Sequence, residues 1–350
     1  MGDGSVGGPW ARAGSTGRPP HGSRAPTAIA YGCPVASSAE LTVPADRYNE
    51  RRQVARENKS VWRTSWLLVT STDHVATPGD YAEARFGLAP TLVVRGDDGR
   101  LRGFENVCQH QGAPLCLGTG GGLTEIECAN HRWTWDLAGR LQAVDFGAPV
   151  EADQDIPLQP LVVETWGPLV FASFDPAIGP LADAVAPLAG SLGDAGIDPD
   201  RLRCRSVVSI NTGGNWKSLL DGVTAVGDAP ELGARQHPGL AVQADAASGT
   251  VTIVRVRPST SANRAMFDVL VFEPRPEGAP PGSVRPLDVT LKDDDAVPSD
   301  SGVDPALLAF ARAQASAEPL AEDLVVDPAS APELVALHAW LDERLAPPAS

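Results

Sequence analysis

Short β-branched runs separated by turn residues fill the chain from about residue 66 to residue 175. That is the pattern of half-buried strands joined by tight connections. The run PTLVVRGDDGRLRGF predicts a hairpin turning at Asp98-Gly99, and LVVETWGPLVFASF (161–174) predicts another turning at Gly167-Pro168. Ahead of them, DRYNERRQVARENKSVWRTSW (46–66) predicts a charged helix that runs into a strand. The stretch 175–196 predicts a linker and a modest helix. The second half mixes the two periods, with strands predicted at 203–211, 250–257, 267–273 and 286–292 and helices at 215–226, 304–316 and 331–346. In the last helix Leu334, Leu337, Leu341 and Leu345 fall on one face. Residues 1–40, rich in Gly, Pro, Ala and Ser, show no periodicity and read as a mobile tail. The predicted fold class is α+β: an all-β domain with its leading helix over 41–175, then an α+β domain on an antiparallel sheet over 176–350. No internal repeat of fixed period is visible.

Composition narrows the function. The 350 residues suffice for two domains, and a chain 43% hydrophobic and 21% charged can bury real cores. A net charge of −16 argues against nucleic acid and anionic membranes as partners. No apolar run approaches the roughly 20 residues a membrane helix needs, and the N-terminal region has no apolar core of a secretory signal. Five scattered cysteines (33, 108, 116, 128 and 204) predict a reduced, cytoplasmic protein with metal-binding thiols rather than a disulfide framework.

Two of those cysteines come with histidines. NVCQHQG places Cys108 and His110 one residue apart, and CANHRWTW places Cys128 and His131 two apart, with seventeen residues between the pairs. Two tight loops at the ends of β hairpins would bring the four side chains to one point. Zinc takes a Cys₂His₂ set, usually with cysteines paired, histidines paired and a helix after them. Here each loop supplies one of each, which lets both cysteines take one iron and both histidines the other, the Rieske [2Fe–2S] arrangement. A degenerate loop pair that binds nothing is the third reading.

The longer stretch SVWRTSWLLV…PGDY…PTLVVRGDDGRLRGFENVCQHQGAPL…ECANHRWTWDLAGRL resembles the Rieske domain of the Rieske non-heme iron oxygenases, the ring-hydroxylating α-subunit family, over about residues 41–175. The likeness includes Trp133, two residues after the second histidine, and the aromatic at Trp135. It implies that Cys108 and Cys128 bind one iron and His110 and His131 the other, and that the second half is the helix-grip, catalytic-like domain. Cytochrome-type Rieske proteins carry a further cysteine in each ligand loop. Ala113 and Asn130 stand there instead, and Cys116 has no obvious partner, so the resemblance implies a low-potential cluster. Gln111 replaces the family's usual arginine, and Ala129-Asn130 its Pro-Tyr.

The family also holds a mononuclear iron between two histidines and a carboxylate. Its motif reads Asn-Trp-Lys, three residues, Glu-Asn, two residues, Asp, one residue, Tyr-His, four residues, His. Asn215-Trp216-Lys217 match; Asp221 and Gly222 then stand at Glu-Asn, Ala225 at Asp, Gly227 at Tyr, Asp228 at the first His and Gly233 at the second. Asp323 stands where the carboxylate ligand is expected. The aspartate replaced by Ala225 is the family's bridge from the iron site to the neighbouring subunit's cluster. Of the remaining histidines, His21 falls in the tail, His74 in the β domain, His338 in the last helix as a packing or surface residue, and His237 in ARQHPG. His237 with Asp228 and Asp323 is the one set that could rescue an iron site; otherwise mononuclear Fe(II) is expected to be absent. Asn215 also has a purely structural reading as a helix cap, and Trp216 as a core anchor.

The expectation is a cluster-bearing electron-transfer subunit that serves a catalytically intact paralogue in a hetero-oligomeric, head-to-tail assembly, trimeric by resemblance. A ferredoxin or reductase would supply the electrons, and His110 or His131 would face the neighbour. The alternatives are a self-sufficient oxygenase with an atypical iron site, and a non-redox scaffold in which the cluster only stabilises the β domain.

Overall fold

The computed structural model describes residues 41–150, 156–223, 238–292, 295–314, 323–326 and 332–346, all within one compact unit. The predicted tail, 1–40, with His21, and the segment with Ala225, Gly227, Asp228, Gly233 and His237 lie outside the described residues.

The first half forms a seven-stranded sheet in the order Leu67–Ser71, Leu169–Ser173, Pro160–Trp166, Leu101–Glu105, Ala89–Arg95, Tyr81–Phe86, Thr119–Gly120. Both predicted hairpins are present: Ala89–Arg95 pairs with Leu101–Glu105, and Pro160–Trp166 with Leu169–Ser173. Gly167 turns the second at φ 52°, with Pro199 only 2.8 Å from where a Cβ would sit, so a side chain is excluded there on both counts. A small four-stranded sheet of Ile126–Glu127, Thr134–Trp135, Leu141–Val144 and Ala148–Pro149 carries the second Cys–His pair at its first turn.

The second half forms a five-stranded sheet in the order Leu240–Asp245, Thr250–Pro258, Arg264–Pro274, Leu202–Gly213, Leu287–Leu291. Four of its strands are antiparallel neighbours, as expected. The edge strand Leu287–Leu291 instead joins Leu202–Gly213 in parallel. The connection from Pro274 to Leu287 carries Pro276, Pro280 and Pro281, which cannot supply ladder N–H groups. It is long enough to cross to the far side of the central strand, as a parallel neighbour requires. Helices Trp216–Val223, Pro305–Ala313 and Pro332–Leu345 pack on this sheet's core, the last through Leu337 and Leu341 as its periodicity predicts. Leu240–Asp245 was not expected from sequence; LAVQAD alternates too weakly to declare itself.

One apolar cluster spans both halves, running from Val69, Val93 and Ala172 to Val208, Val254 and Phe267. A buried ionic centre reinforces it. Asp268 accepts from Arg255 Nε at 2.7 Å, from Arg257 Nε at 2.7 Å and from the Ser209 hydroxyl at 2.7 Å. Arg255 Nη1 then reaches the carbonyls of Leu68 and Val69 at 2.8 and 2.6 Å, tying the second sheet to the first strand of the other. Burial opposes ionisation of Asp268, but the two guanidiniums overcome it and hold the carboxyl well below the usual carboxylate range. A group depressed in the folded state stabilises fully above its unfolded value and loses that contribution as pH falls through the folded one. Asp268→Asn is therefore expected to cost about 3–5 kcal/mol of unfolding free energy at pH 7. The deficit relative to wild type should narrow only below about pH 4. Urea denaturation of both proteins across pH checks this.

Candidate metal centre

The two ligand loops have different sequences and one backbone shape. In the first, Cys108 N–H donates to Ala113 O at 2.7 Å and Gly112 N–H to Cys108 O at 2.8 Å. In the second, Cys128 N–H donates to Trp133 O at 2.8 Å and Arg132 N–H to Cys128 O at 2.9 Å. In both, the fourth residue after the cysteine has positive φ, 76° at Gly112 and 59° at Arg132. Glycine adopts that conformation freely; arginine does so at a cost of about 1–2 kcal/mol. The histidines sit two and three residues after their cysteines, so matching backbones present them from different positions on the loop.

The first loop hangs from Asn106, which is fully buried. Its side chain donates to Cys116 O at 2.8 Å and accepts from Leu115 N and Cys116 N at 3.2 and 3.0 Å. Around the loops Leu92, Phe104, Ile126, Trp133, Trp135 and Leu158 form a separate apolar core that encloses both cysteines.

Cys108 and Cys128 are 3% and 1% exposed, while His110 and His131 are half-buried. Both thiols lie in the same apolar cluster. Burial and the neighbouring thiol raise the Cys108 pKa, while the backbone N–H groups of His110 and Gln111, directed at its sulfur, work the other way. The two imidazoles meet edge to face with centroids 4.8 Å apart, and His110 lies flat on Trp133 at 5.0 Å. The Nδ1 atom of His110 is buried without a hydrogen-bond partner. That orphaned nitrogen, beside two buried thiols, makes a donor set suited to a metal centre.

Residues 65–154 match the profile of the Rieske [2Fe-2S] domain. Residues 65–154 are thus a Rieske [2Fe-2S] domain, and the chain is similar to oxygenase subunits that carry one. It is 31% identical over 183 residues to the glycine betaine monooxygenase oxygenase subunit of Chromohalobacter salexigens, covering 51% of this chain and 40% of that subunit. It is 29% identical over 182 residues to the carnitine monooxygenase oxygenase subunit of Escherichia coli, covering 51% and 49%. The chain thus spans less than half the length of these relatives. The crystal structure of a quaternary ammonium Rieske monooxygenase with L-carnitine superposes with a TM-score of 0.58, at 19% identity, over 83% of this chain and 89% of that one. Naphthalene 1,2-dioxygenase gives 0.54 at 18% identity over 69% and 73%. These likenesses establish the same fold across both halves.

The Asn-Trp-Lys segment, residues 215–217, holds the fold together. Asn215 Oδ1 caps the helix by accepting from Lys217 N at 3.0 Å, and its Nδ2 donates to the carbonyls of Tyr48 and Ala262. Trp216 Nε1 and Lys217 Nζ both bind the buried carboxylate of Glu57, at 2.8 and 2.7 Å. A Cβ at Gly222 would lie 2.4 Å from the ring of Phe310. Asp323 is exposed and its Oδ1 accepts from Ala45 N–H at 3.0 Å. His338 is a packing residue. Arg47 can only donate to its Nδ1 (3.1 Å), so Nε2 carries the proton shared with the Tyr48 hydroxyl at 2.8 Å. Burial, then Arg47 and Lys217, push its pKa down to about 3, which keeps it neutral. His74 is likewise buried, bonded to the Ser71 hydroxyl at 2.8 Å, and burial lowers its pKa. Cys116 is a free buried thiol, its pKa pushed up to about 11 by burial and Glu83.

Sequence reading missed Asn106 and the turn at Asp145-Phe146. Asn106 stands inside the quoted loop motif, and an asparagine just ahead of a tight loop is a recognisable turn signal. Asn106→Ala should leave the Leu115 and Cys116 backbone groups unpaired. It is expected to lower unfolding free energy by about 2–3 kcal/mol, with reduced iron retention on gel filtration.

Proposed function

We propose that Cys108 and Cys128 hold one iron and His110 and His131 the other of a [2Fe–2S] cluster, and that this chain passes its electrons to another subunit. The cluster, when bound, supplies one-electron transfer. The protein's own part is to bury the thiolates, aim the His110 and Gln111 N–H groups at sulfur, and leave the imidazole edge as the half-buried side of the site. Residues 41–175 act as the cluster domain and 176–350 as the catalytic-like domain. The donor is a ferredoxin or reductase, and the acceptor a catalytically complete paralogue in a head-to-tail, trimeric, cytoplasmic assembly. No described helix is long and apolar enough to cross a membrane.

The observation that carries this reading is the contact at Gly222. Gly222 stands where the resemblance places the asparagine of the mononuclear-iron motif, and a Cβ there would meet the ring of Phe310 at 2.4 Å. The replacements Ala225, Asp228 and Gly233 in the same segment support it from sequence.

A second reading, favoured by the relatives' names as oxygenase subunits, keeps an atypical iron on Asp228, His237 and Asp323 and makes the chain an oxygenase for a quaternary ammonium compound. Against it, an Asp323 oxygen is already engaged by Ala45 N–H. A cluster that serves only as a structural clamp is the third.

Iron per protomer on anaerobically purified protein separates them. Two irons, a Rieske EPR signal and no turnover alone are expected. A third iron that disappears in His237→Ala would establish the oxygenase reading instead. In the co-purified complex, Cys108→Ser should abolish the partner's turnover; unchanged turnover would leave the clamp.

A further inference from the structure

Among the described residues only three non-glycines have a left-handed backbone: Arg132 at φ 59°, Asp145 at 35° and Phe146 at 60°. All three border His131. Asp145, Phe146 and Gly147 form the loop between the paired residues Val144 and Ala148. A three-residue hairpin loop ordinarily spends positive φ on its last residue, usually glycine. Here all three residues have it, Gly147 at 93°. Strain concentrated in this way persists only where the surroundings over-determine it.

The loop touches both imidazole arms of the site. Phe146 N–H donates to His131 O at 2.8 Å, and the Phe146 ring meets the His131 ring edge-on at 6.2 Å. Asp145 Oδ1 accepts from Trp133 Nε1 at 3.1 Å, and Trp133 lies flat on His110, 4° from parallel. Burial does not explain the arrangement, because Phe146 is 70% exposed. The guanidinium nearby, Arg132, is paired with Glu127 at 2.8 Å, and no described ion pair involves Asp145. Asp145 is exposed, so water screens its charge in part, but no described cation is paired with it.

We infer that the Asp145–Phe146 turn is a positioning element for the two imidazole ligands, and that the Asp145 carboxylate, held through Trp133, lowers the reduction potential of the cluster. This rests on the reading that Cys108, Cys128, His110 and His131 hold that cluster. A fixed negative charge stabilises the oxidised, more positive state over the reduced one, and hydrogen bonding and net charge around the ligands set the potential of such centres. Asp145 and Phe146 are positioning residues, because neither occupies a ligand position.

The test is the midpoint potential, read by EPR-monitored redox titration of the purified protein. Asp145→Asn keeps an oxygen acceptor for Trp133, and asparagine tolerates positive φ well. The variant is expected to retain two irons and the wild-type EPR line shape while its midpoint moves positive. Asp98→Asn removes one charge at the far tip of the Ala89–Glu105 hairpin and should leave the midpoint in place. Trp133→Phe keeps the stack on His110 and frees Asp145; it should also move the midpoint positive. The double variant should move it less than the sum of the two single shifts. An Asp145→Asn midpoint equal to wild type, or shifted no further than Asp98→Asn, overturns the inference. So do additive shifts in the double variant. Wild-type protein without a Rieske signal overturns the cluster reading itself, a failure visible before any variant is compared.

Discussion

Two cysteines and the ligand loops that carry them are enclosed in one apolar core, where any charge must be balanced by an opposite one close by. Much of the first half can be understood as the scaffold for that constraint. The loops are closed by their own cysteine amide and carbonyl, so sulfur placement does not depend on side-chain packing alone. Asn106 fixes the first loop and the hairpin fixes the second. The aromatic residues Phe104, Trp133 and Trp135 exclude water from the cysteine side, while the imidazole side reaches the surface. The asymmetry gives the site a direction: charge is shielded on one flank and accessible on the other.

The second half depends on a different balance. Asp268 and Arg255 would each be costly to bury alone, and together they bridge the two sheets through main-chain carbonyls. With the continuous apolar cluster, they make the two halves one unit, although each sheet is complete in itself. The Asn-Trp-Lys segment contributes to the same end. Its three side chains knit the helix at Trp216 to the leading segment through Tyr48 and Glu57.

Much of this was legible in the sequence. The Asp98-Gly99 and Gly167-Pro168 hairpins, the Cys–His loops and the leucine face of the last helix are local signals, and local signals survive into the structure. The parallel edge strand Leu287–Leu291 was not legible, because its partner, the far strand Leu202–Gly213 and not the preceding strand, is chosen by long-range packing. The common shape of the ligand loops was hidden by chemistry: glycine advertises a positive φ at 112, whereas the same conformation at 132 belongs to an arginine. The roles of Asp145 and Phe146 arise from contacts with residues ten or more positions away, which no periodicity encodes.

The close contact between Gly222 and Phe310 imposes an order on sequence change. An asparagine introduced at 222 strikes the ring, so it is destabilising until residue 310 becomes small. A small residue introduced at 310 first opens a cavity beside Phe267, which destabilises in its turn. Neither single step is neutral, so the present packing works as a ratchet.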